Sequence, residues 1–529
     1  MNVILFGRVV TMNGQSPPIA NGAVYLSGNT IAAVADRSAP PAAGFAGALS
    51  IETGGTIFPG LIELHNHLSY DCLPLWKVPQ QFTNRGQWQA NSNYAANVAA
   101  PMGVIAKSND ANLLAAVARY AETKCLLGGV TSSQGISLKT DDLETYYRSA
   151  MRVVDDPDDT AFARASTRIP DVAASDWTSF NEELQQASCL LLHLSEGLDT
   201  AARDAFLALE SNGQWAISSA LAGIHCAALQ PQDFAIMQAK GASVVWSPLS
   251  NLLLYGGTTN IKAARAAGLD IALGSDWSPS GSKNLLNELK VAKVANDALG
   301  LGLTPQDLVA MVTSTAARIV KWDSLVGSIA AGKRADLVVI SGSTSADPYS
   351  SLINAAETDL VLMLIDGRPV LGTEALMGAF GQGGESVPLG SSTRLINYGM
   401  GDPRVPALTF AQSQAALVDA LSRLPTLLAD EAKGHGVMSQ KISLGFAPTM
   451  HLALEEEHTS GFAQRLSLPL NGVPTGPGPA VSQAVRTPVV LKPLTIDAVA
   501  VADDSNYGAA LQGQMNIPAA IKAGLRAYY

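Results

Sequence analysis

The sequence lacks several features that mark secreted, membrane and nucleic-acid-binding proteins. Its four cysteines are scattered and form no CxxC pair, which argues against a disulfide framework and predicts reduced thiols in a cytoplasmic protein. No uninterrupted apolar run approaches about 18 residues, so no membrane-spanning helix is expected. A net charge of −11 and the absence of a basic run interleaved with aromatics argue against nucleic-acid binding.

The length and the β-like segments at two separated places predict several domains. A chain of 529 residues with 47% hydrophobic residues is long enough for two or three well-buried domains. Short β-like runs with tight turns at Gly28-Asn29 and Asp366-Gly367 occur on both sides of a long middle region. We therefore predict one small β-sandwich domain built from residues 1–57 and 330–378.

The middle region, residues 58–329, alternates apolar runs with helical patterns. His193, His225, Ser247 and Asp276 are separated by 32, 22 and 29 residues, which are spacings typical of βα repeats in a parallel sheet. Seven runs are clear, and an eighth, near "TRIPDVA", is weak. The pattern predicts an α/β fold, a TIM (β/α)8 barrel, with its active site at the carboxyl ends of the strands.

Two helices and one insertion accompany these strands. The stretches "SNDANLLAAVARYAETKCLLGG" and "LTPQDLVAMVTSTAARIVKW" each predict a helix, the second with a capping box between Thr304 and Asp307. A longer spacing, from His67 to Thr131, predicts a rim loop after the first strand that acts either as a lid or as a packing flap. Residues 379–529 form a C-terminal extension of unassigned fold.

Histidine is rare, and its placement is informative. His65 and His67 project from the same face at the end of the first strand, since side chains at i and i+2 of a strand point the same way. Alone, this HxH pair fits a metal site or two hydrogen-bonded histidines. However, His193 and His225 also end predicted strands, and Asp276 ends the eighth. Three histidines and a carboxylate at one rim can hold a divalent cation and leave room for water.

Several of these motifs together resemble one known family. The segments "PGLIELHNH", "HLSEG", "GIHC", "SPLSN", "LGSDW" and "VGSIAAGKRADLVVI" are similar to those of the amidohydrolase superfamily, in its cytosine deaminase and triazine hydrolase-like branch. The resemblance covers about residues 1–372. It implies a cytoplasmic, metal-dependent hydrolase of non-peptide carbon–nitrogen bonds that deaminates an amino-substituted nitrogen heterocycle.

The resemblance also implies roles for individual residues. The metal ligands would be His65, His67, His193 and Asp276. Glu196, in the HxxE motif, would be the general acid and base, Asp276 would take the proton of the attacking water, and His225 would hydrogen-bond the attacking oxygen or the substrate. Asn251 and Trp277, which face the mouth of the barrel in the family pattern, are weaker candidates for substrate contact. Tyr70, Arg85 and Trp88 of the inserted loop are further candidates, and loop packing explains each of the five equally well.

The number of metals follows from a missing lysine. Binuclear members of the family bridge two metals with a carbamylated lysine on the fourth strand, and this chain has no lysine between Lys139 and Lys240. One divalent metal is therefore expected unless Glu182 or Glu183 bridges a second. Zinc is the default, and iron or manganese fits the same ligands.

Three alternatives remain open at this point. The same site could open a cyclic amide, as imidazolonepropionase-like relatives do, or the chain could be an inactive scaffold. In the tail, "HLALEEEH" (451–458) and His435 could belong to a second metal site, although a solvated helix face explains the former. A small-molecule substrate is expected, and a homo-oligomer is compatible with the family.

Overall fold

The computed structural model describes residues 2–108, 110–140, 143–342, 347–399, 401–403, 405–434, 451–454 and 490–529. His435 and residues 455–458, which include all three glutamates of "HLALEEEH", lie outside the described residues. Within those ranges, no helix combines the length and the apolar composition that crossing a membrane requires.

The middle of the chain forms eight short parallel strands, which alternate with helices. In chain order they are β1 (Leu61–Ile62), β2 (Val130–Ser133), β3 (Arg152–Val153), β4 (Ala165–Arg168), β5 (Cys189–Leu194), β6 (Leu221–His225), β7 (Ser243–Trp246) and β8 (Asp270–Leu273). Strands β1 to β3 pair in one parallel sheet and β4 to β8 in another, each in sequential order. The predicted α/β fold is confirmed.

Burial on both faces explains the composition of these strands. Every residue of β5 and of β6 is buried, as expected for parallel strands covered by helices on one side and by a filled interior on the other. The weak strand that was predicted near "TRIPDVA" is β4, which begins two residues earlier than that segment.

Backbone hydrogen bonds connect the two parallel sheets at both of their edges. Ala165 at the start of β4 donates to the carbonyl of Val154 after β3 over 2.9 Å, and Asp276 after β8 donates to the carbonyl of His65 after β1 over 2.9 Å. The second hydrogen bond brings the segments that follow the carboxyl ends of β1 and β8 side by side. The residues that follow these two strands are therefore neighbours.

Helices lie between the strands along the chain, and several of them belong to the inserted segment. The α-helices are Arg85–Gln89, Ser92–Tyr94, Ala100–Ala106, Ala111–Leu127, Trp177–Gln186, Thr200–Leu207, Pro231–Ala239, Pro248–Tyr255, Ile261–Ala267, Leu285–Leu299, Pro305–Met311, Ser314–Ile319, Pro348–Asn354, Glu374–Ala379, Phe410–Ser422, Leu424–Gly434, Tyr507–Gly513 and Ala519–Leu525. A π-helical turn spans Ala95–Ala99, and 3₁₀ turns span Leu68–Tyr70, Ala174–Asp176, Glu357–Asp359 and Val501–Asp503.

One predicted helix is two helices in the structure. The segment after Thr304 forms Pro305–Met311 and Ser314–Ile319, separated by Val312 and Thr313. The carbonyl of Val312 accepts a hydrogen bond from the backbone N–H of Ile62 in β1 over 2.9 Å. A hydrogen bond to a distant strand therefore interrupts the helix at this point. The periodicity of the sequence does not reveal such a long-range contact.

The capping box at Thr304 makes a stability prediction. Thr304 Oγ1 accepts from the Asp307 N–H over 3.1 Å, and Asp307 Oδ2 accepts from the Thr304 N–H over 2.8 Å. Thr304→Ala should lower the free energy of unfolding by about 1 kcal/mol, because a helical N–H loses its acceptor. Urea unfolding checks this against Thr426→Ala, an exposed threonine inside the helix Leu424–Gly434. Equal midpoints for the two variants would contradict it.

The segments that precede and follow the middle region together form one nine-stranded sheet. Its strands, in spatial order, are Glu385–Leu389, Ser392–Ile396, Arg368–Gly372, Leu360–Ile365, Leu337–Ser341, Leu49–Pro59, Asn2–Val9, Ile19–Ser27 and Thr30–Asp36. The turns at Gly28-Asn29 and Asp366-Gly367 connect paired neighbours, as predicted. The sheet continues beyond residue 378 through two further strands.

Smaller pairings and the C-terminal helices complete the structure. Two hairpins, Ser137–Thr140 with Leu143–Tyr146 and Glu210–Ser211 with Gln214–Trp215, lie between barrel elements, and His451–Leu452 pairs with the first of them. The last 40 residues pack against the inserted segment: Gln514 hydrogen-bonds the backbone of Trp76 and Val78.

Candidate metal centre

The carboxyl ends of four parallel strands bring five polar side chains together. His65 and His67 follow β1, His193 lies in β5, His225 ends β6 and Asp276 follows β8. All five are buried, with exposures of 0 to 8%. Because these ends meet at one rim, residues that are more than 200 positions apart in the sequence become direct neighbours.

Three imidazole nitrogens converge at the spacing of a tetrahedral site. The distances between Nε2 atoms are 3.3 Å for His65 and His67, 3.1 Å for His65 and His193, and 3.2 Å for His67 and His193. Asp276 Oδ1 lies 3.5 Å from His65 Nε2 and 3.4 Å from His67 Nε2. Tetrahedral ligands with bonds of about 2.0–2.1 Å to zinc are about 3.3–3.4 Å apart. The donor set therefore fits one divalent cation.

The protonation state of these histidines also suits a cation. Burial, together with the neighbouring His225, lowers the pKa of His65 well below its usual value. Burial, together with the neighbouring His67, does the same to the pKa of His193. Neutral imidazoles are the form that ligates metals. Ser247 Oγ lies 2.7 Å from His65 Nδ1 and orients the ring with its Nε2 toward the other donors.

The backbone is strained at two of these residues. His225 and Asp276 both have φ of +64°, a region that non-glycine residues occupy at a cost of about 1–3 kcal/mol each. Asp276 is held there by two backbone hydrogen bonds to the segment after β1: its N–H donates to the carbonyl of His65 over 2.9 Å, and its carbonyl accepts from the N–H of His67 over 3.2 Å. Such strain persists where the surrounding structure fixes a side chain in one direction.

Glu196 lies beside this cluster and is held by three neighbours. Its Oε1 accepts a hydrogen bond from Tyr255 Oη over 2.7 Å, and its Oε2 lies 3.7 Å from Arg85 Nη1 and 3.8 Å from His225 Nε2. Tyr255 Oη in turn accepts from Trp88 Nε1 over 2.8 Å. The inserted segment, through Arg85 and Trp88, therefore orients the carboxyl of Glu196.

His225 has a defined partner on its far side. Its Nδ1 lies 2.9 Å from Asn251 Oδ1. The amide nitrogen of Asn251 faces two hydroxyls, Thr258 Oγ1 at 3.2 Å and Thr259 Oγ1 at 3.3 Å, so its oxygen is the atom that faces the imidazole. Nδ1 of His225 therefore carries a hydrogen and donates a hydrogen bond to Asn251 Oδ1, while Nε2 faces Glu196.

This contact predicts the effect of removing Asn251. Asn251→Ala should lower kcat by about 10- to 100-fold, the range seen when the partner of a functional histidine is lost, because His225 would no longer be fixed in one tautomer and orientation. Metal content should stay at the wild-type level. Steady-state kinetics with metal analysis measures both, and a kcat within twofold of wild type would contradict the prediction.

A small cavity that is partly open to solvent lies in front of the cluster. It is lined by His67, Arg85, Trp88, Gln89, Ile169, His193, Glu196, His225, Asp276 and Trp277. Two other candidates for substrate contact lie elsewhere among the described residues. Tyr70 packs edge-on against the Trp277 ring, with centroids 4.8 Å apart, and Asn251 lies behind His225.

The fourth strand carries no group that could bridge a second metal. Strand β4 reads "ASTR" and contains no lysine or carboxylate. Glu182 and Glu183 lie on exposed positions of the helix Trp177–Gln186, and Glu183 pairs with Arg168 over 3.6 Å. This arrangement supports a mononuclear site.

Sequence reasoning did not identify Tyr255 and Glu63. Tyr255 lies four residues after Asn251 on the helix Pro248–Tyr255, so helical spacing puts both on one face. Glu63 is buried, its pKa raised to about 8 by desolvation. It accepts bonds from the Ser275 hydroxyl over 2.6 Å and from the backbone N–H of Ser275 and His65, and so joins β1 to β8. An acidic residue within an apolar strand was its signal.

Several known proteins are similar to this chain in sequence or in structure. A 5-methylthioadenosine/S-adenosylhomocysteine deaminase from Symbiobacterium thermophilum is 24% identical over 422 residues, which cover 70% of this chain and 93% of the relative. A zinc-bound adenosine deaminase structure from Xanthomonas campestris has a TM-score of 0.57 at 18% identity, covering 80% of this chain and 98% of that one. A zinc-bound atrazine chlorohydrolase from Arthrobacter aurescens has a TM-score of 0.54 at 17% identity, covering 70% and 95%.

The structural similarities establish a TIM-barrel-like α/β fold. The sequence match goes further, because the model of the amidohydrolase family spans residues 56–370, more than half of the chain. That range includes every residue of the convergent cluster, the strands that carry it and the first strands of the returning β-segment. The chain belongs to the amidohydrolase family, whose members are metal-dependent hydrolases.

Proposed function

We propose that this protein is a mononuclear metal-dependent hydrolase that deaminates an amino-substituted nitrogen heterocycle. The observation that carries the proposal is the convergence of His65, His67, His193 and Asp276 at tetrahedral spacing, with Glu196 and His225 beside them. Zinc is the metal we propose, since zinc is bound in two structural relatives and suits this set of nitrogen and oxygen donors. The deaminase names of the relatives support the reaction class.

The chemistry of the proposed reaction divides among few groups. A divalent cation held by the four ligands would supply an ionised water as the nucleophile, by lowering the water pKa from about 15.7 toward about 7. Asp276, at the end of β8, is the group that accepts the proton which that water releases. Glu196 donates a proton to the ring nitrogen or to the amino group, which then leaves as ammonia, since the Glu196 carboxyl is held at the cavity wall by Tyr255 and Arg85.

The hydrogen bond between His225 and Asn251 restricts what His225 can do. A neutral ring that donates from Nδ1 presents only a lone pair at Nε2, so it accepts a proton or a hydrogen bond from whatever lies in the cavity. Donation from Nε2 requires the doubly protonated ring, and Glu196 Oε2 lies 3.8 Å from that nitrogen. When the His225 ring carries a second proton, its Nε2–H would donate a hydrogen bond to the oxygen that is added to the substrate carbon, and would stabilise the charge that develops there.

Metal analysis and an ammonia-release screen test this function. The purified protein should hold about one equivalent of metal per chain, and removal of the metal by a chelator should abolish hydrolysis. Purines, pyrimidines, triazines and amidines are incubated with the enzyme and with a glutamate dehydrogenase coupling system. Ammonia release from at least one compound supports deamination. Hydrolysis without ammonia would identify the alternative, the opening of a cyclic amide, and a chain unable to bind metal would favour a scaffold.

We also propose the architecture around the site. Residues 58–329 form the barrel, residues 1–57 and 330–378 a composite β-sandwich domain, and residues 379–529 an extension whose first two strands, Glu385–Leu389 and Ser392–Ile396, continue the sheet of that domain. The hydrogen bonds from Ala165 to Val154 and from Asp276 to His65 support closure of the eight strands. Limited proteolysis tests the division: cuts that fall after residue 396, the end of the last strand of the nine-stranded sheet, and release a stable core would support it.

A further inference from the structure

The C-terminal segment contributes one buried carboxylate close to the candidate metal centre. Asp497 Oδ2 lies 2.5 Å from Lys124 Nζ, and Asp497 Oδ1 lies 2.5 Å from Lys283 Nζ. All three residues are buried, with exposures of 0 to 4%. A buried ammonium without a partner is strongly destabilising, so Asp497 is the counter-charge that allows both lysines to lie in the interior.

Lys124 connects this carboxylate to the two loops that follow β1 and β8. Its ammonium also donates to the backbone carbonyl of Asp71 over 3.0 Å and to the hydroxyl of Ser278. Asp71 Oδ1 accepts from the N–H of Ser278 over 2.9 Å and from its hydroxyl over 3.1 Å. Asp71 follows His67 by four residues and Ser278 follows Asp276 by two, so the network joins the loops that carry these two candidate ligands.

Asp497 is itself fixed by its backbone. Its N–H donates to the carbonyl of Cys72 over 2.9 Å, and its carbonyl accepts from the hydroxyl of Tyr120. Lys283, which precedes the helix Leu285–Leu299, makes a further ion pair of 3.0 Å with Asp504. The segment therefore reaches this network in one defined position.

The strained backbone of Asp276 gives this network a function. Its left-handed φ of +64° holds only if the surrounding contacts oppose relaxation. On one side Asp276 is fixed by bonds to His65 and His67. On the other, Ser278 is fixed by Asp71 and Lys124, and Lys124 is held by Asp497.

We propose that Asp497 is a positioning residue for the metal centre: by neutralising Lys124 and Lys283 it keeps the loop after β8 in the conformation that presents Asp276 to the metal. The inference rests on the proposed function, because it requires a cation at the cluster. It makes residues 490–529 a working part of the barrel site, although they lie more than 200 residues after its last ligand in the sequence.

Cobalt binding to the full chain tests the proposal without any substrate. Co²⁺ is titrated into metal-free wild type, Asp497→Asn and Asp504→Asn, and its visible absorption reports both affinity and ligand geometry. Asp497→Asn keeps the size of the side chain but removes the carboxylate that pairs with Lys124, and it leaves Lys283 with Asp504 as its ion-pair partner. We expect its dissociation constant for Co²⁺ to rise by about 10-fold or more, with altered absorption bands, as for losses of supporting groups around metal ligands.

The control and a second variant separate positioning from simple stability. Asp504 pairs with Lys283 alone and is partly exposed, so Asp504→Asn should change the Co²⁺ dissociation constant less than threefold. Ser278→Ala leaves every ion pair in place but removes the hydroxyl between Lys124 and Asp71. Ser278→Ala should reproduce the loss of Co²⁺ affinity. If Asp497→Asn does not fold, the Co²⁺ dissociation constant of Ser278→Ala decides whether the network positions the metal ligands.

Two results would overturn the proposal, and they are distinguishable. Folded Asp497→Asn, or Ser278→Ala, with the wild-type dissociation constant and absorption spectrum would show that the network only stabilises the chain, and the proposed function would stand. Wild type that binds no Co²⁺ would overturn the proposed function, and the positioning role would fail with it.

Discussion

Glu196→Gln is expected to lower kcat by about 10²- to 10⁴-fold, the range that a positioned general acid contributes. The amide has the size of the carboxyl and can still accept the hydrogen bond from Tyr255, but it cannot release a proton to the substrate. Metal content should remain at the wild-type level, because Glu196 is not one of the four converging donors. Steady-state kinetics on the substrate found by ammonia release, together with metal analysis, measures both quantities.

The matched control is Glu182→Gln, which makes the same chemical change on an exposed position of the helix Trp177–Gln186. Its kcat should stay within twofold of wild type. If Glu196→Gln kept more than a tenth of the wild-type kcat, Glu196 would not be the proton donor. Its contacts with Tyr255 and Arg85 would then have only a structural role.

His193→Ala is expected to have the largest effect, because it removes one of the three converging nitrogens. Affinity for the metal should fall by more than about 100-fold, beyond the range for supporting groups. Activity at limiting metal should fall by about 10⁴-fold or more, since without the cation the attacking water keeps a pKa of about 15.7. Equilibrium dialysis against Zn²⁺ and the ammonia assay measure the two effects.

Thermal unfolding provides an independent readout of the same change. A ligand at 1,000 times its dissociation constant stabilises a protein by about 4 kcal/mol, and one at 10 times by about 1.4 kcal/mol, so the same Zn²⁺ concentration should raise the Tm of wild type much more than that of His193→Ala. Leu190→Val, a conservative change at a buried position of the same strand, should keep the Zn²⁺-dependent rise. A rise of equal size in His193→Ala would place the metal elsewhere.

The sequence was sufficient to predict the candidate ligands because their positions follow from local rules. An HxH pair at a strand end points both side chains to one face, and residues that end parallel strands share one rim. The structure brings His65, His67, His193 and Asp276 within 3.1–3.5 Å of their neighbours. That the chain is an amidohydrolase was also readable, because the motifs that carry the resemblance are short and continuous.

Groups that support the ligands could not be predicted in the same way. Tyr255 reaches Glu196 across 59 residues, and Asp497 reaches Lys124 across 373. Neither pair belongs to a sequence motif. A buried polar group requires a hydrogen bond or a counter-charge, but residues of several types at many positions can provide it, so no fixed spacing marks the partner. The break at Val312 and the two strands beyond residue 378 likewise depend on partners that are distant in the chain.

The sequence by itself determined the α/β fold, the rim at which the polar residues meet and the types of donor atom that converge there. These follow from periodicity and from the chemistry of histidine and aspartate. Only the tertiary structure decided how those donors are held: which tautomer Asn251 imposes on His225, how the inserted segment orients Glu196, and that the C-terminal segment reaches the loop after β8. Such contacts join segments hundreds of residues apart, and chain folding, not local pattern, sets their distance and direction.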